Sequence, residues 1–307
     1  MAIGLFRLKK QGYDFPPYRP PSEAGSLLLR VTRGCPWNKC TFCSMYKHLV
    51  FERRSTDEIK SDILSAGDHY SDVTKTVFIA DSNSPVINTD DFVEVLEMLY
   101  RSFPNIERVT SYARAKTLKK KPMDDLRRLR KAGLTRLHVG LETGSADLLK
   151  GIRKGATPAE FVDAGKKVKK AGFELSLYIL LGIGGEEGWA DHARDTAAVL
   201  NRIDPHFIRV RTFQPQPGSK LYDDMKAGTF KKASYLTVLN EQRAIVENLN
   251  VTSRYLSDHI TNYIPVNGKL PEDKSTMLQA IDECLTALEH DEALQRMFQR
   301  KENLKQL

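Results

Sequence analysis

Cys35, Cys40 and Cys43 stand in C-x4-C-x2-C spacing within the segment LLLRVTRGCPWNKCTFCSMYK, directly after an apolar run. Thiolates are soft ligands that select iron–sulfur clusters or zinc. Three thiolates from one loop can wrap one face of a cubane cluster and leave its fourth iron open to a small-molecule chelator. The competing reading is a zinc knuckle, which needs a fourth ligand such as His48 or the distant Cys284 to close a tetrahedron. Cys284 falls in IDECLTALEH, where Ile281, Cys284, Leu285 and Leu288 make a helical stripe, so it reads as a small buried hydrophobe. Four cysteines in 307 residues are too few for a disulfide scaffold and point to a reducing compartment.

The elements that would position these thiols are repeated strand–helix units. Apolar, β-branched runs at 26–31, 75–80, 107–112, 136–141, 174–181 and 207–211 alternate with helix-period segments, as in a parallel sheet buried on both faces. Helices are expected to begin near Thr56, near Thr89 with Asp90 and Asp91 in the first turn, and near Pro122, Pro158 and Gly188. Past Gln216 the strand pattern stops, and helices are expected around 220–227, around 235–248 and from about 272 onward. The fold class is therefore α/β: a partial (β/α)6 TIM-type barrel over 26–217, preceded by an N-terminal arm over 1–25. A mostly helical C-terminal extension over 218–307 would cover the barrel mouth. The cysteine loop follows the first strand, at the C-terminal face where barrel chemistry is normally found.

Composition narrows the classes. With 41% hydrophobic residues the chain can bury a large core. No run of eighteen apolar residues is present, and the opening MAIGLFRLKKQGYDFPPYRPP is too polar for a signal peptide, so a cytoplasmic protein without a membrane span is expected. The net charge of +8 suits an anionic partner such as RNA, a nucleotide or a polycarboxylate. The basic runs at 116–121, 127–131 and 166–170, however, read as solvated helix faces and loops.

The cysteine segment, with Phe42 just before the last cysteine, resembles the radical SAM superfamily, whose usual spacing is C-x3-C-x2-C. This sequence carries one extra residue, within 36–39. The resemblance runs over about residues 27–222. Its order of elements is close to the branch holding oxygen-independent coproporphyrinogen dehydrogenases and tRNA methylthiotransferases. It implies one 4Fe–4S cluster on Cys35, Cys40 and Cys43, S-adenosylmethionine (SAM) on the open iron, and a reductant such as flavodoxin or ferredoxin.

The same resemblance suggests the cofactor contacts. In FIADSNSP, Asp81, Ser82 and Asn83 occupy the position that often receives the methionine ammonium, although Asp81 reads equally as a cap or turn residue. In TSYARAKTL, Ser111 and Arg114 would reach the same mouth, and Arg114 could clamp a carboxylate or stay at the surface. Glu142, in GLETGS, would approach the SAM ribose or amino group. Lys154, beside Arg153, matches the basic residue that pairs with the methionine carboxylate. Gly182 and Gly184, in LLGIGGEEG, would let backbone pass close to adenine or ribose; their spacing does not make a G-x-G-x-x-G dinucleotide fingerprint. In the last strand Arg209 and Arg211 share one face, which either lines the interior or flanks it. In the tail, SRYLSDHITNYIPVNG is dense in polar groups. Asp258 and His259 are the candidates there for reaching substrate or positioning a proton, against a purely structural pair.

Reductive SAM cleavage to a 5′-deoxyadenosyl radical, followed by hydrogen abstraction from a small-molecule or cofactor-type substrate, is the leading expectation. Modification of RNA is the second reading; it is not favoured because no separate RNA-binding module or aromatic-and-basic RNA motif is visible. A non-catalytic zinc or iron–sulfur protein is the third. The sequence shows neither a cobalamin-type N-terminal domain nor a Cys-rich C-terminal extension, so B12-dependent methyl transfer and auxiliary-cluster chemistry are not expected.

Overall fold

The computed structural model describes residues 18–302; the expected arm over 1–25 lies outside the described residues as far as residue 17. In chain order the elements are β1 (Leu27–Arg30), β2 (Thr32–Arg33), β3 (Glu52–Arg53), α1 (Thr56–Tyr70), β4 (Thr76–Ala80), α2 (Thr89–Ser102) and β5 (Arg108–Ala113). Then follow α3 (Ala115–Lys120), α4 (Met123–Lys131), β6 (Leu134–Glu142), α5 (Ala146–Gly151), α6 (Pro158–Lys170), β7 (Glu174–Leu181), α7 (Trp189–Ile203) and β8 (Phe207–Thr212). The chain continues with α8 (Lys220–Lys226), α9 (Tyr235–Asn248), β9 (Arg254–Leu256), β10 (Asn267–Lys269), α10 (Lys274–His290) and α11 (Glu292–Glu302).

One sheet runs in the order β1-β4-β5-β6-β7-β8-β9-β10. All its pairings are parallel except β9 with β10, which is antiparallel. Parallel neighbours need a crossover, and here the intervening helices supply it, which makes the molecule an α/β partial barrel. The expectation that strands end with the sixth unit is corrected by β9 and β10, which extend the sheet past β8. Arg254 pairs with Phe207, and Leu256 with Arg209.

Helix starts follow local chemistry. Ser55 accepts from the Glu58 N–H while the Glu58 carboxylate accepts from the Ser55 N–H, a capping box that opens α1. Thr157 and Glu160 repeat that arrangement at α6, with Pro158 at the first position. Asn88 caps α2 and Ser145 caps α5.

Strand alternation divides the side chains into two sets. Leu137, Val139 and Leu141 of β6, Leu175, Leu177 and Ile179 of β7, and Ile208 and Val210 of β8 join the core shared with the helices. Each such fully buried side chain contributes roughly 1.5–3 kcal/mol. The other set, including Phe78, Tyr112, His138, Tyr178, Arg209 and Arg211, faces the barrel lumen. Phe78, Tyr112 and His138 meet there edge to face across three strands.

Candidate active site

The cysteine loop leaves β1 and is closed at its base by the β2–β3 ladder, in which Thr32 pairs with Arg53 and Arg33 with Glu52. Gly34 makes the turn at φ 77°, a conformation open to glycine. Its N–H donates to Asp81 Oδ2 at 2.9 Å, and Ser82 Oγ donates to its carbonyl at 3.0 Å. The loop turns again at Asn38, whose φ is 47°. Asn38 Nδ2 donates to the Tyr46 carbonyl at 2.6 Å, and the Lys47 ammonium donates to the Asn38 carbonyl at 2.7 Å. The far side of the loop is fastened to the β6–α6 connection. Trp37 Nε1 donates to the Arg153 carbonyl at 2.7 Å, and the Thr41 N–H donates to Ile152 at 3.0 Å. A Cβ on Gly155 would lie 2.5 Å from the Trp37 ring, so that indole has its seat only because residue 155 is glycine. From the C-terminal region, the Leu221 N–H donates to the Thr41 carbonyl at 3.0 Å, which lays α8 on the loop.

Within this frame the three thiols are half-buried and act on one another electrostatically. Burial pushes Cys43 up to about 11 and raises Cys40, with Lys154 pulling Cys40 back. Metal coordination reverses that penalty, because a ligating thiol is held as thiolate. The donor set fits an iron–sulfur cluster. Two of the sulfurs already accept backbone N–H groups, Cys35 from Asn38 at 3.4 Å and Cys43 from Met45. Two cations, Lys154 and Arg114, stand within electrostatic reach of Cys40. Among the described residues no three His, Cys, Asp or Glu side chains converge tightly enough for a single ion. A cubane asks for something different, since its thiolates bind separate iron atoms.

Beside the thiols, Lys154 Nζ lies 2.5 Å from Glu142 Oε1 and 5.6 Å from the centre of the Phe42 ring. Burial drives the Lys154 ammonium toward neutrality, but Glu142 and Cys40 outweigh it and hold the group charged. Glu142 is aimed at Lys154 by a bulge at the end of β6, where the register slips between Gly140 and Glu142 and the Glu142 φ is 66°. The Arg114 guanidinium stacks 5.2 Å from the Trp37 ring and donates to the Lys154 carbonyl at 3.4 Å. Phe42 packs edge-on to Phe213 in a small apolar cluster with Ile152 and Ile183. The structure thus brings Phe42, Arg114, Glu142 and Lys154 to the three cysteines.

The other expected contacts are engaged differently. Asp81 is fully buried against the Gly34 N–H and Arg30, at 3.3 Å from the guanidinium. Asn83 accepts the Arg114 N–H at 2.9 Å and donates to Thr117. With Ser82, these residues anchor the cysteine loop and the β5–α3 turn. Ser111 lies on the helix-facing side of β5, and its hydroxyl donates to the Tyr112 carbonyl. Gly182 gives its N–H to Glu241 Oε2 at 2.5 Å, and a Cβ there would meet Ala233 and Val238 at 3.3 Å. On Gly184 a Cβ would fall 2.9 Å from the Gly188 carbonyl. Asp258 is exposed. His259 is half-buried, with Nδ1 2.8 Å from Thr261 Oγ1 and 3.2 Å from the Thr261 nitrogen. Burial, followed by the nearby Arg211 and Lys301 cations, lowers it to about 4. Cys284 sits on α10, packed against the core.

Sequence reasoning did not find His192 and Glu241. Both are fully buried: His192 Nδ1 pairs with the Glu241 carboxylate, and His192 Nε2 lies 3.3 Å from the Glu142 carbonyl. This pair ties the ends of β6 and β7 to α7 and α9. Its only sequence signal is a charged residue inside the apolar stripe of a helix, at LNEQRAIV.

Residues 29–196 match the Radical SAM superfamily, which is more than half of the chain, and the chain belongs to that family. Enzymes of the family use a 4Fe–4S cluster and SAM and need a reductant. Among curated proteins, the anaerobic magnesium-protoporphyrin IX monomethyl ester cyclase of Cereibacter sphaeroides is 24% identical over 231 residues, covering 70% of this chain and 35% of that protein. The 4'-phospho-dehydrooxetanocin synthase of Priestia megaterium is 26% identical over 203 residues, covering 59% and 27%. The chain therefore spans well under half the length of these relatives. Among solved structures, methylornithine synthase (PylB) superposes with a TM-score of 0.52 at 19% identity, over 74% of this chain and 63% of that one. TsrM, the radical S-adenosylmethionine methyltransferase of Kitasatospora setae, solved with cobalamin and a [4Fe-4S] cluster bound, gives 0.52 at 13% identity, over 64% and 38%. At these identities the likeness is one of fold. No helix among the described residues is long and apolar enough to cross a membrane.

Proposed function

We propose that this chain is a radical SAM enzyme acting on a small-molecule or cofactor-type substrate, with Cys35, Cys40 and Cys43 holding three irons of its 4Fe–4S cluster and SAM on the fourth. The observation that carries the assignment is the Lys154–Glu142 ion pair, 2.5 Å long, set beside Cys40 and Phe42. Lys154 offers its ammonium to the methionine carboxylate, and Glu142 offers its carboxylate to the amino group or ribose hydroxyls. Arg114, stacked on Trp37, adds a second cation at the same edge. The cluster, when bound, would supply the one electron for reductive cleavage of SAM, the source of a hydrogen-abstracting 5′-deoxyadenosyl radical. The protein's task is to orient the reactants and exclude water. α8, laid on the cysteine loop, and the C-terminal segment beyond it serve that exclusion. His259, neutral near pH 7 and close to Arg211, is the tail residue with reach toward the lumen.

The electron donor is assigned to the outer face of the loop. There Lys39, Lys47, Arg153 and Lys220 surround a cavity of about 370 Å³ that also exposes Cys40 and contains Asp223 as its one acid. Lys39, Lys47 and Arg153, beside the Lys220–Asp224 ion pair and with Asp223 as the further acid, suit an acidic carrier such as a flavodoxin or ferredoxin.

Anaerobic reconstitution with iron and sulfide, followed by reduction with dithionite in the presence of SAM, tests the reading. The expected product is 5′-deoxyadenosine, lost together with the iron–sulfur absorbance in Cys35→Ala, Cys40→Ala and Cys43→Ala. A fully loaded cluster that yields no 5′-deoxyadenosine would overturn it.

A further inference from the structure

The lumen below the cysteine loop is unlike a packed barrel interior. In a closed barrel the inward positions are filled mostly by Val, Ile and Leu. Here the inward side of β5 to β8 carries Thr110, His138, Ser176, Tyr178, Arg209 and Arg211. Thr110, His138 and Ser176 are fully buried, and Tyr178 is 7% exposed. Yet among the described residues Thr110 Oγ1, His138 Nδ1, Ser176 Oγ, Tyr178 Oη and Arg209 Nε have no hydrogen-bond partner. Buried polar groups are normally satisfied, so five unpaired ones on the inward faces of four neighbouring strands, beside the half-buried Arg209 and Arg211, are groups that a ligand can satisfy.

Charge says what that is. Arg211 lies 5.2 Å from the Tyr178 ring and Arg209 lies 5.9 Å from the Phe207 ring. Every ion pair found among the described residues leaves these two guanidiniums out. The lumen's carboxylates are already committed. At the lower end Glu23 accepts from Ser26 at 2.7 Å and meets Arg108 at 3.3 Å and His138 at 3.4 Å. At the upper end Glu142 holds Lys154. Two uncompensated cations therefore flank a neutral phenol, since burial, working against both arginines, pushes Tyr178 up to about 12. Planar guanidinium forks match carboxylate and phosphate oxygens.

We infer that the lumen binds substrate through an anionic group, a carboxylate or a phosphate, held by Arg209 and Arg211 with the Tyr178 hydroxyl as third donor. The half-buried ring of Tyr112, backed edge-on by the buried Phe78 at 5.0 Å between ring centres, flanks the organic body of that substrate. This subsite rests on the reading of the mouth above it as the SAM site, because the bound anion then holds the substrate directly beneath the radical's origin.

Inorganic phosphate and succinate serve as probes, each titrated by calorimetry into the purified full chain. One of the two should bind saturably, the phosphate arm indicating a phosphorylated substrate and the succinate arm a carboxylic acid. Affinity should fall about tenfold in Arg209→Gln and in Arg211→Gln, the loss expected for one charge-assisted hydrogen bond. Arg211→Lys should keep most of it, and Arg127→Gln, on the outer surface, all of it. Because the arginines are unpaired, neither glutamine variant should lower the melting temperature, and the winning anion should raise it only in the parent protein. Absence of saturable binding, equal binding by the variants, or variants that melt well below the parent would overturn the inference. The parent protein should release 5′-deoxyadenosine from SAM on reduction in the absence of substrate. If the parent protein cannot, the assignment of the mouth fails while anion binding in the lumen is judged separately.

Discussion

Gly140 is the position at which a single methyl group separates the chemistry from the fold. It faces the lumen on β6, and a Cβ there would fall 2.0 Å from Glu142 Oε1 and 2.9 Å from Lys154 Nζ. Gly140→Ala therefore has to displace the ion pair. The obstructing atoms are the ends of flexible side chains, so the backbone need not move. In a strand, alanine is itself favoured over glycine by roughly 0.5–1 kcal/mol, which offsets the cost of swinging the two side chains aside. The pair is nearly dry, with Lys154 16% and Glu142 11% exposed. A hydrogen bond to a charged group contributes about 1.5–3 kcal/mol, and every 1.4 kcal/mol is tenfold in binding. SAM affinity should accordingly drop by roughly 10- to 150-fold, while the melting temperature moves by no more than about 4 °C. Equilibrium dialysis of SAM against the anaerobically reconstituted protein, paired with scanning calorimetry, measures both quantities. Parent-like SAM affinity in a folded, cluster-loaded Gly140→Ala protein would refute the role given to Glu142 and Lys154.

Two further outcomes follow from charge. His259 is held at about 4 against an ordinary 6.5, by burial and then by Arg211 of β8 and Lys301 of α11, with Asp258 of its own loop pulling the other way. The unfolded chain thus takes up this proton near pH 6.5 and the folded chain only near 4. Its contribution is complete above 6.5, is lost as pH falls through that window at no more than about 1.4 kcal/mol per pH unit, and changes no further below 4. Urea unfolding of His259→Gln between pH 7 and 4 should have a correspondingly shallower acid limb, and an unchanged limb would contradict the assignment. On the outer face, Lys39→Glu should slow flavodoxin-driven SAM cleavage by about threefold at low salt, through slower encounter. The dithionite-driven rate should stay as it was; a parallel fall in both rates would place the defect in the site instead of at its entrance.

What could be read from the sequence was chemistry that is local. Cys35, Cys40, Cys43 and Phe42 announce themselves in nine residues, and Arg114, Glu142 and Lys154 each follow a recognisable strand end, so their gathering needed only the order of strands. β9 and β10 were invisible because strands of three residues, RYL and NGK, carry no periodicity to detect. Alternation put Arg209 and Arg211 on one face without saying which, since a period of two leaves inside and outside equivalent until the neighbours are known. His192 and Glu241 lie 49 positions apart, and nothing in either segment points to the other. Asp81, Ser82 and Asn83 were legible as polar groups at a strand end. Their hydrogen bonds to Gly34, Arg114 and Thr117 depend on tertiary structure alone.

The pairing of His192 with Glu241 reaches beyond the two residues. α9 delivers, from the far side of the chain, the one carboxylate that answers both an imidazole under the Glu142 carbonyl and the amide that starts the glycine turn after β7. The segment after residue 217 is therefore a keystone and not an appendage. A boundary drawn there, however natural it looks along the sequence, would cut through the brace behind the catalytic face.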